Sequence, residues 1–121
     1  MTGNGLPWIQ FWVDDWMSSA TVKMMTLEER TVYIELIFRQ WQLKSLPDNT
    51  KMLARLISLD HEEFKKHWKV VSKQFEIINE NGALKGQLVN KKCWDVRQKA
   101  EASVYRNHKA AIKGAMARWK K

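Results

Sequence analysis

The chain has 121 residues, of which 45% are hydrophobic and 11% aromatic, with a single cysteine and a formal net charge of +8. That length and apolar content specify one domain with a packed core rather than a disordered chain, and the lone Cys93 excludes an intramolecular disulfide and fits a reducing compartment. The opening MTGNGLPW has no signal-peptide pattern, and no stretch approaches the roughly 20 apolar residues of a membrane span, so the expected location is cytoplasmic.

Residues 8–13, WIQFWV, alternate and predict a strand, with Ile9, Phe11 and Val13 on the core side and Trp8 and Trp12 on the other face or against a second subunit. Asp14 or Asp15 then caps a short helical turn through DWMSSATVKMM, anchored by Trp16, because a carboxylate accepts from free first-turn amides. Thr26-Leu27-Glu28-Glu29 is a capping box. Behind it Leu27, Thr31, Ile34, Phe38 and Trp41 recur at helical spacing, broadened by Val32, Tyr33, Leu36 and Ile37, and predict a central helix that ends near residues 44–46, ahead of Pro47.

Asp48 or Asn49 caps a second, short helix carrying Met52, Leu53, Leu56 and Ile57. A tight connection at Ser58-Leu59 leads to a second capping box, Asp60-His61-Glu62-Glu63. The third helix sets Phe64, Trp68, Val71 and Phe75 on one face and Glu62, Lys66, Lys69 and Lys73 on the other, with Lys65 at the edge. Short helix, tight turn and amphipathic helix are the layout of a helix-turn-helix. Two apolar runs then flank Asn81-Gly82, a hairpin signal since both positions accept positive φ. A helix-turn-helix followed by a hairpin is the order of a winged helix, with residues 8–13 as the expected third strand.

From Cys93 the pattern is helical again, with a stripe of Trp94, Gln98, Glu101, Tyr105, His108, Ile112, Ala115 and Trp119. Lys99, Arg106, Lys113 and Lys120 recur every seven residues, drifting only about 20° per step. The charge is concentrated here: residues 91–121 hold ten Lys/Arg against Asp95 and Glu101, while residues 1–40 are net acidic. A basic segment on a near-neutral body points to a polyanion, because clustered cations gain from displacing phosphate counterions.

Chemistry finds little support. His61, His67, His108 and Cys93 have no zinc-ligand spacing, no glycine-rich phosphate loop is present, and Asp14-Asp15 and Glu28-Glu29 stand where helices begin. No catalytic residue, cofactor or metal is therefore assigned. The candidate DNA contacts are Lys65, Lys66, Lys69 and Lys73 on the third helix, and Lys91, Lys92, Arg97, Lys99, Arg106, Lys109, Lys113, Arg118 and Lys120 in the basic segment. Lysine meets phosphate as a point charge, so binding is expected to be phosphate-dominated with weak base readout. The structural alternative for the third helix is a solvated face with a Glu62–Lys66 pair.

The ordered pieces DDWMSSATVKMMTLEERTVYIELIFRQW, LPDNTKMLARLISLDHEEF, LVNKKCWDVRQKAEA and KGAMARW resemble the YdaU-like family of prophage replication-region proteins, over roughly residues 7–119. The resemblance implies a winged-helix fold akin to the N-terminal domains of phage replisome organisers and DnaD-like primosome proteins. It supplies no catalytic or binding residues.

The sequence thus predicts a helix-rich α+β protein, with a winged helix-turn-helix and small antiparallel sheet over residues 1–93 and a basic C-terminal helix or tail over 94–121. The expected function is non-enzymatic DNA binding or replisome organisation. The alternative is a protein–protein adaptor that forms homo-oligomers or docks a helicase loader without touching DNA; no membrane partner is expected, since the apolar side of the basic helix is thin and Ala-rich.

Overall fold

The structure, a computed structural model, describes residues 8, 11, 13–78 and 87–119, with side chains through Ala117. The elements are α1 (Val13–Ser18), α2 (Ala20–Met24), α3 (Leu27–Leu43), β1 (Leu46–Pro47), α4 (Thr50–Leu56), α5 (His61–Val71), a 3₁₀ turn (Ser72–Gln74), β2 (Glu76–Ile78), β3 (Gln87–Val89) and α6 (Lys91–Trp119). The result is a helix-rich α+β fold with one small antiparallel sheet of strand order β1-β3-β2.

Local chemistry sets most boundaries. The capping box opens α3: Thr26 Oγ1 accepts from the Glu29 amide at 3.1 Å, and Glu29 Oε1 accepts from the Thr26 amide at 2.8 Å. Lys44, at φ 72°, ends α3 and turns the chain into β1. Asn49 caps α4, accepting from the Met52 amide, and Ser58 at φ 57° makes the tight turn into α5. Asp60 caps α5 alone, one carboxylate oxygen accepting from both the Glu62 and Glu63 amides. The expected reciprocal bond from Glu63 is replaced by contacts of its carboxylate with Lys66 and His67.

The N-terminal expectation needs correction. The described residues of 8–13 form no strand: Val13 already begins α1 and is 61% exposed, and the third strand is β1 instead. β1 pairs Leu46 with Leu88 and Pro47 with Gln87, and a proline that cannot donate to a ladder suits this edge position. Trp8 is 72% exposed, and the expected placements of Ile9 and Trp12 lie outside the described residues. Phe11 meets Trp16 at 5.6 Å and Phe38 at 6.2 Å, and Trp16 lies on Tyr33 at 5.2 Å, so Trp16 does anchor the N-terminal helices. Asp14 and Asp15 sit inside the first turn of α1, favourable to its dipole, while Ser19 caps α2. The hairpin tip at Asn81-Gly82 lies outside the described residues, but its strands pair as expected, Ile77 opposite Leu88.

The main core joins α3, α4, α5 and the sheet through Leu36, Leu46, Leu53, Phe64 and Val71, all 0% exposed. The buried face of α3 is Val32, Leu36, Ile37, Gln40 and Trp41, whereas Leu27, Thr31 and Phe38 of the expected stripe face outward. The residues expected only to broaden that stripe are its centre, because α5 and α6 both pack on that side.

Two polar side chains complete the interior. Gln40 and Asn90, 50 residues apart, bond reciprocally: the Asn90 amide donates to Gln40 Oε1 at 2.7 Å and Gln40 Nε2 donates to the Asn90 carbonyl at 3.2 Å. The Asn90 side chain donates to the Gln74 carbonyl at 2.8 Å and accepts from the Cys93 amide at 3.1 Å, capping α6. Replacing Asn90 with alanine keeps the two bonds of its backbone to Gln40 but removes the side-chain partner of the Gln74 carbonyl, the Cys93 amide and the Tyr33 hydroxyl, and is expected to lower unfolding free energy by about 2–4 kcal/mol in urea titrations. Thr26→Ala, which removes only an exposed cap, should cost about 1 kcal/mol; equal losses would contradict the central place of Asn90.

Candidate nucleic-acid interface

The basic segment is one continuous helix, and its attachment decides which charges reach solvent. Cys93, Trp94 and Arg97 of α6 are buried, at 5%, 7% and 1% exposure. Cys93 packs with Ile37 and Trp41, and Trp94 with Ile78 and Val89, so the first turns are core. At about 100° per residue, Lys92, Lys99, Arg106 and Lys113 share a strip about 60° wide, while Arg97 points about 140° away from Lys92. The cationic strip is therefore on the outer side of the helix, and from Lys92 to Lys113 it is about 32 Å long. Lys92, Lys99, Arg106, Lys109 and Lys113 are all exposed. Gln98 is exposed, and between Glu101 and Ala117 almost every residue is exposed, including Tyr105, His108 and Ile112 of the expected apolar stripe.

Arg97 must be removed from the candidate contacts. Its guanidinium donates through Nη1 to the Trp41 carbonyl at the end of α3 and lies 5.2 Å over the Trp41 ring. Its Nε stands 3.9 Å from the Glu101 carboxylate, which also holds Lys44 at 2.7 Å. Nε and Nη2 have no hydrogen-bond partner. A guanidinium this enclosed spends its charge joining α3 to α6, where a desolvated cation–π contact contributes about 2 kcal/mol. Composition alone could not separate it from its exposed neighbours.

The other candidates fall into two groups. Lys65 pairs with Glu62 at 3.1 Å and Lys66 with Glu63 at 3.4 Å, at i,i+3 spacing in place of the expected Glu62–Lys66 pair. Lys91 pairs with Asp95 at 3.3 Å and Lys92 with Asp15 at 3.0 Å. These exposed pairs are worth little and exchange readily. Lys69, Lys73, Lys99, Arg106, Lys109 and Lys113 pair with no carboxylate among the described residues. The exposed face of α5 is thus nearly balanced in charge, whereas that of α6 is strongly cationic. The side chain of Arg118, and Lys120 altogether, fall outside the described residues.

Sequence reading missed a cavity of about 180 Å³ between the N-terminal helices, α3 and the first turns of α6. Phe11, Trp16, Tyr33, Ile37, Cys93 and Val96 line it, together with the Asp15–Lys92 ion pair. A second, polar groove shares Tyr33, Asn90 and Lys92 with it and adds Lys73, Lys91 and Glu76. The aromatic repeat in PWIQFWVDDWM was its only signal, and nothing local linked that repeat to lysines 77 residues away. Among the described residues no group of three or more His, Cys, Asp or Glu is placed to hold a metal ion, and no helix is long and apolar enough to cross a membrane.

Fold and surface together define a helix-rich α+β protein whose net charge is carried by one projecting helix. The chain belongs to the protein family of unknown function DUF1376, which it matches over residues 7–96. That span holds α1 to β3 and the buried start of α6, and it ends before Lys99. No curated protein and no solved structure matches the chain.

The packing of α6 has a consequence for pH. Burial pushes the Cys93 thiol up from 9.0 to about 12, with Arg97 opposing, and burial raises the Tyr33 phenol against its hydrogen bond from Asn90. Both groups are neutral when protonated and the folded state holds the proton more tightly. Their stabilisation is therefore complete below pH 9 and lost as pH rises from 9 toward 12. Native Cys93 should be inert to thiol reagents until the chain unfolds, and the urea midpoint should fall above pH 9. Rapid native labelling would contradict the docking of α6.

Proposed function

We propose that this protein is a non-enzymatic DNA-binding module of the replisome-organising kind, built on a winged helix and gripping phosphates chiefly through α6. The winged-helix reading is supported by element order: helix α3, edge strand β1, helices α4 and α5 joined at Ser58, then the β2–β3 pair, with sheet order β1-β3-β2. The resemblance of the quoted motifs to prophage replication-region proteins supports the same setting.

The observation that carries the reading is the outward cationic strip of α6. Lys92, Lys99, Arg106 and Lys113 share the strip turned away from the buried Trp94 and Arg97, and the exposed Lys109 lies at its margin, so the docking of the helix leaves them open to a polyanion. Each phosphate neutralised adds about 0.9 to the slope of log affinity against log salt. α5 takes a smaller part, since Glu62 and Glu63 offset Lys65 and Lys66.

A second reading, a protein–protein adaptor, has its own observation. Val104, Tyr105 and Ile112 are 47%, 66% and 47% exposed on the same side of α6 as the buried Trp94 and Arg97. Solution mass across a concentration series separates a self-associating chain from a monomer.

Reversing three charges, Lys99→Glu, Arg106→Glu and Lys113→Glu, should weaken mixed-sequence duplex binding by more than about tenfold and reduce the salt slope by about three, read by fluorescence anisotropy. Lys66→Glu with Lys69→Glu should do less. Unchanged affinity and slope in the α6 variant would overturn the proposal in favour of the adaptor.

A further inference from the structure

We infer that the aromatic cavity beside the start of α6 takes an unstacked base from single-stranded nucleic acid, with the adjoining groove taking its phosphates. The inference rests on the polyanion reading of α6 and adds to it a preference for single strands.

The walls fit a planar ring. Phe11, Trp16 and Tyr33 form successive aromatic contacts at 5.6 and 5.2 Å, the latter two rings inclined by 32°. Trp16 and Phe11 are only half-buried, so their faces are not consumed by the core. At about 180 Å³ the cavity admits one ring system, well below the roughly 300–1,000 Å³ of ordinary small-molecule sites.

Charge and continuity select the occupant. An aromatic platform for bases needs cations beside it for the phosphates. The local sequence offers only Asp14 and Asp15, but the fold brings Lys73 from the 3₁₀ turn after α5 and Lys91 and Lys92 from α6 into the groove that shares Tyr33 with the cavity. Glu76 also lines that groove, and Asp15 and Asp95 hold Lys92 and Lys91 in exposed pairs that a phosphate can exchange. Lys92 is both a wall of the cavity and the first cation of the α6 strip. A strand tracked by the strip is thereby delivered to the cavity. A duplex keeps its bases stacked and gains nothing there, whereas one stacked base adds about tenfold in affinity.

The test compares the full chain binding oligothymidylate, an abasic oligonucleotide of equal length, and a duplex. Oligothymidylate should bind about tenfold more tightly than the abasic strand, which keeps the phosphates and lacks the bases. Trp16→Leu should bring that ratio toward one while leaving duplex affinity unchanged. Val96→Trp, which fills the cavity from α6, should do the same and serves if the Trp16 variant does not fold. The Lys99, Arg106 and Lys113 reversal should weaken all three ligands and leave the ratio intact. Equal binding of the thymidylate and abasic strands overturns the inference even if the duplex binds, and so does a ratio that survives both cavity variants. Displacement by an acidic tryptophan-containing peptide, without any base preference, would assign the cavity to a protein partner and also overturn it. Binding of none of the nucleic acids would remove both this inference and the polyanion reading.

Discussion

The exchange of two hydrogen bonds between Gln40 and Asn90 fixes where the charged helix leaves the body of the protein. Gln40 is 1% exposed and Asn90 8%, so neither amide has water as an alternative partner. Asn90 stands between β3 and α6, and its carboxamide also reaches the Gln74 carbonyl and caps the new helix. One residue therefore ties α3, the 3₁₀ turn, the central strand and α6 together. A buried polar network of this kind specifies one arrangement, because every alternative leaves donors or acceptors unsatisfied.

Arg97 continues that constraint about two turns along the helix. Its contact with the Trp41 carbonyl and ring rotates α6 so that Trp94 and Cys93 enter the interior. The outward direction of Lys99, Arg106 and Lys113 follows from helical geometry. Electrostatics of the surface is thus a consequence of the interior. A charge that composition assigns to the basic tail is spent inside to aim the remainder outward.

What could be read in the sequence was what depends on neighbours a few residues apart. The Thr26–Glu29 box, the Asn49 and Asp60 caps, the turn at Ser58 and the two pairing runs around residues 79–86 all involve local chemistry, and each structured part lies where it was expected. Contacts over long separations left no comparable mark. The Gln40–Asn90 pair and the Lys92–Asp15 contact join residues 50 and 77 positions apart, and the buried Arg97 looks in sequence like any other cation. Strand β1 is only two residues long and includes a proline, so no periodicity could reveal it. In WIQFWV the described residues make no ladder: Phe11 instead meets the rings of Trp16 and Phe38, and Val13 begins α1. The cavity follows from both failures, since it needs the aromatic start and the distant lysines to meet.

The central claim is that nucleic acid meets the outer face of α6. Backbone amide shifts recorded by NMR during titration with a short DNA test it most directly. The account predicts perturbations concentrated at Lys92, Lys99, Arg106 and Lys113, repeating at seven-residue intervals along one side of the helix, with Lys109 beside them. Shifts confined to α5, or no shifts at low salt, would contradict it.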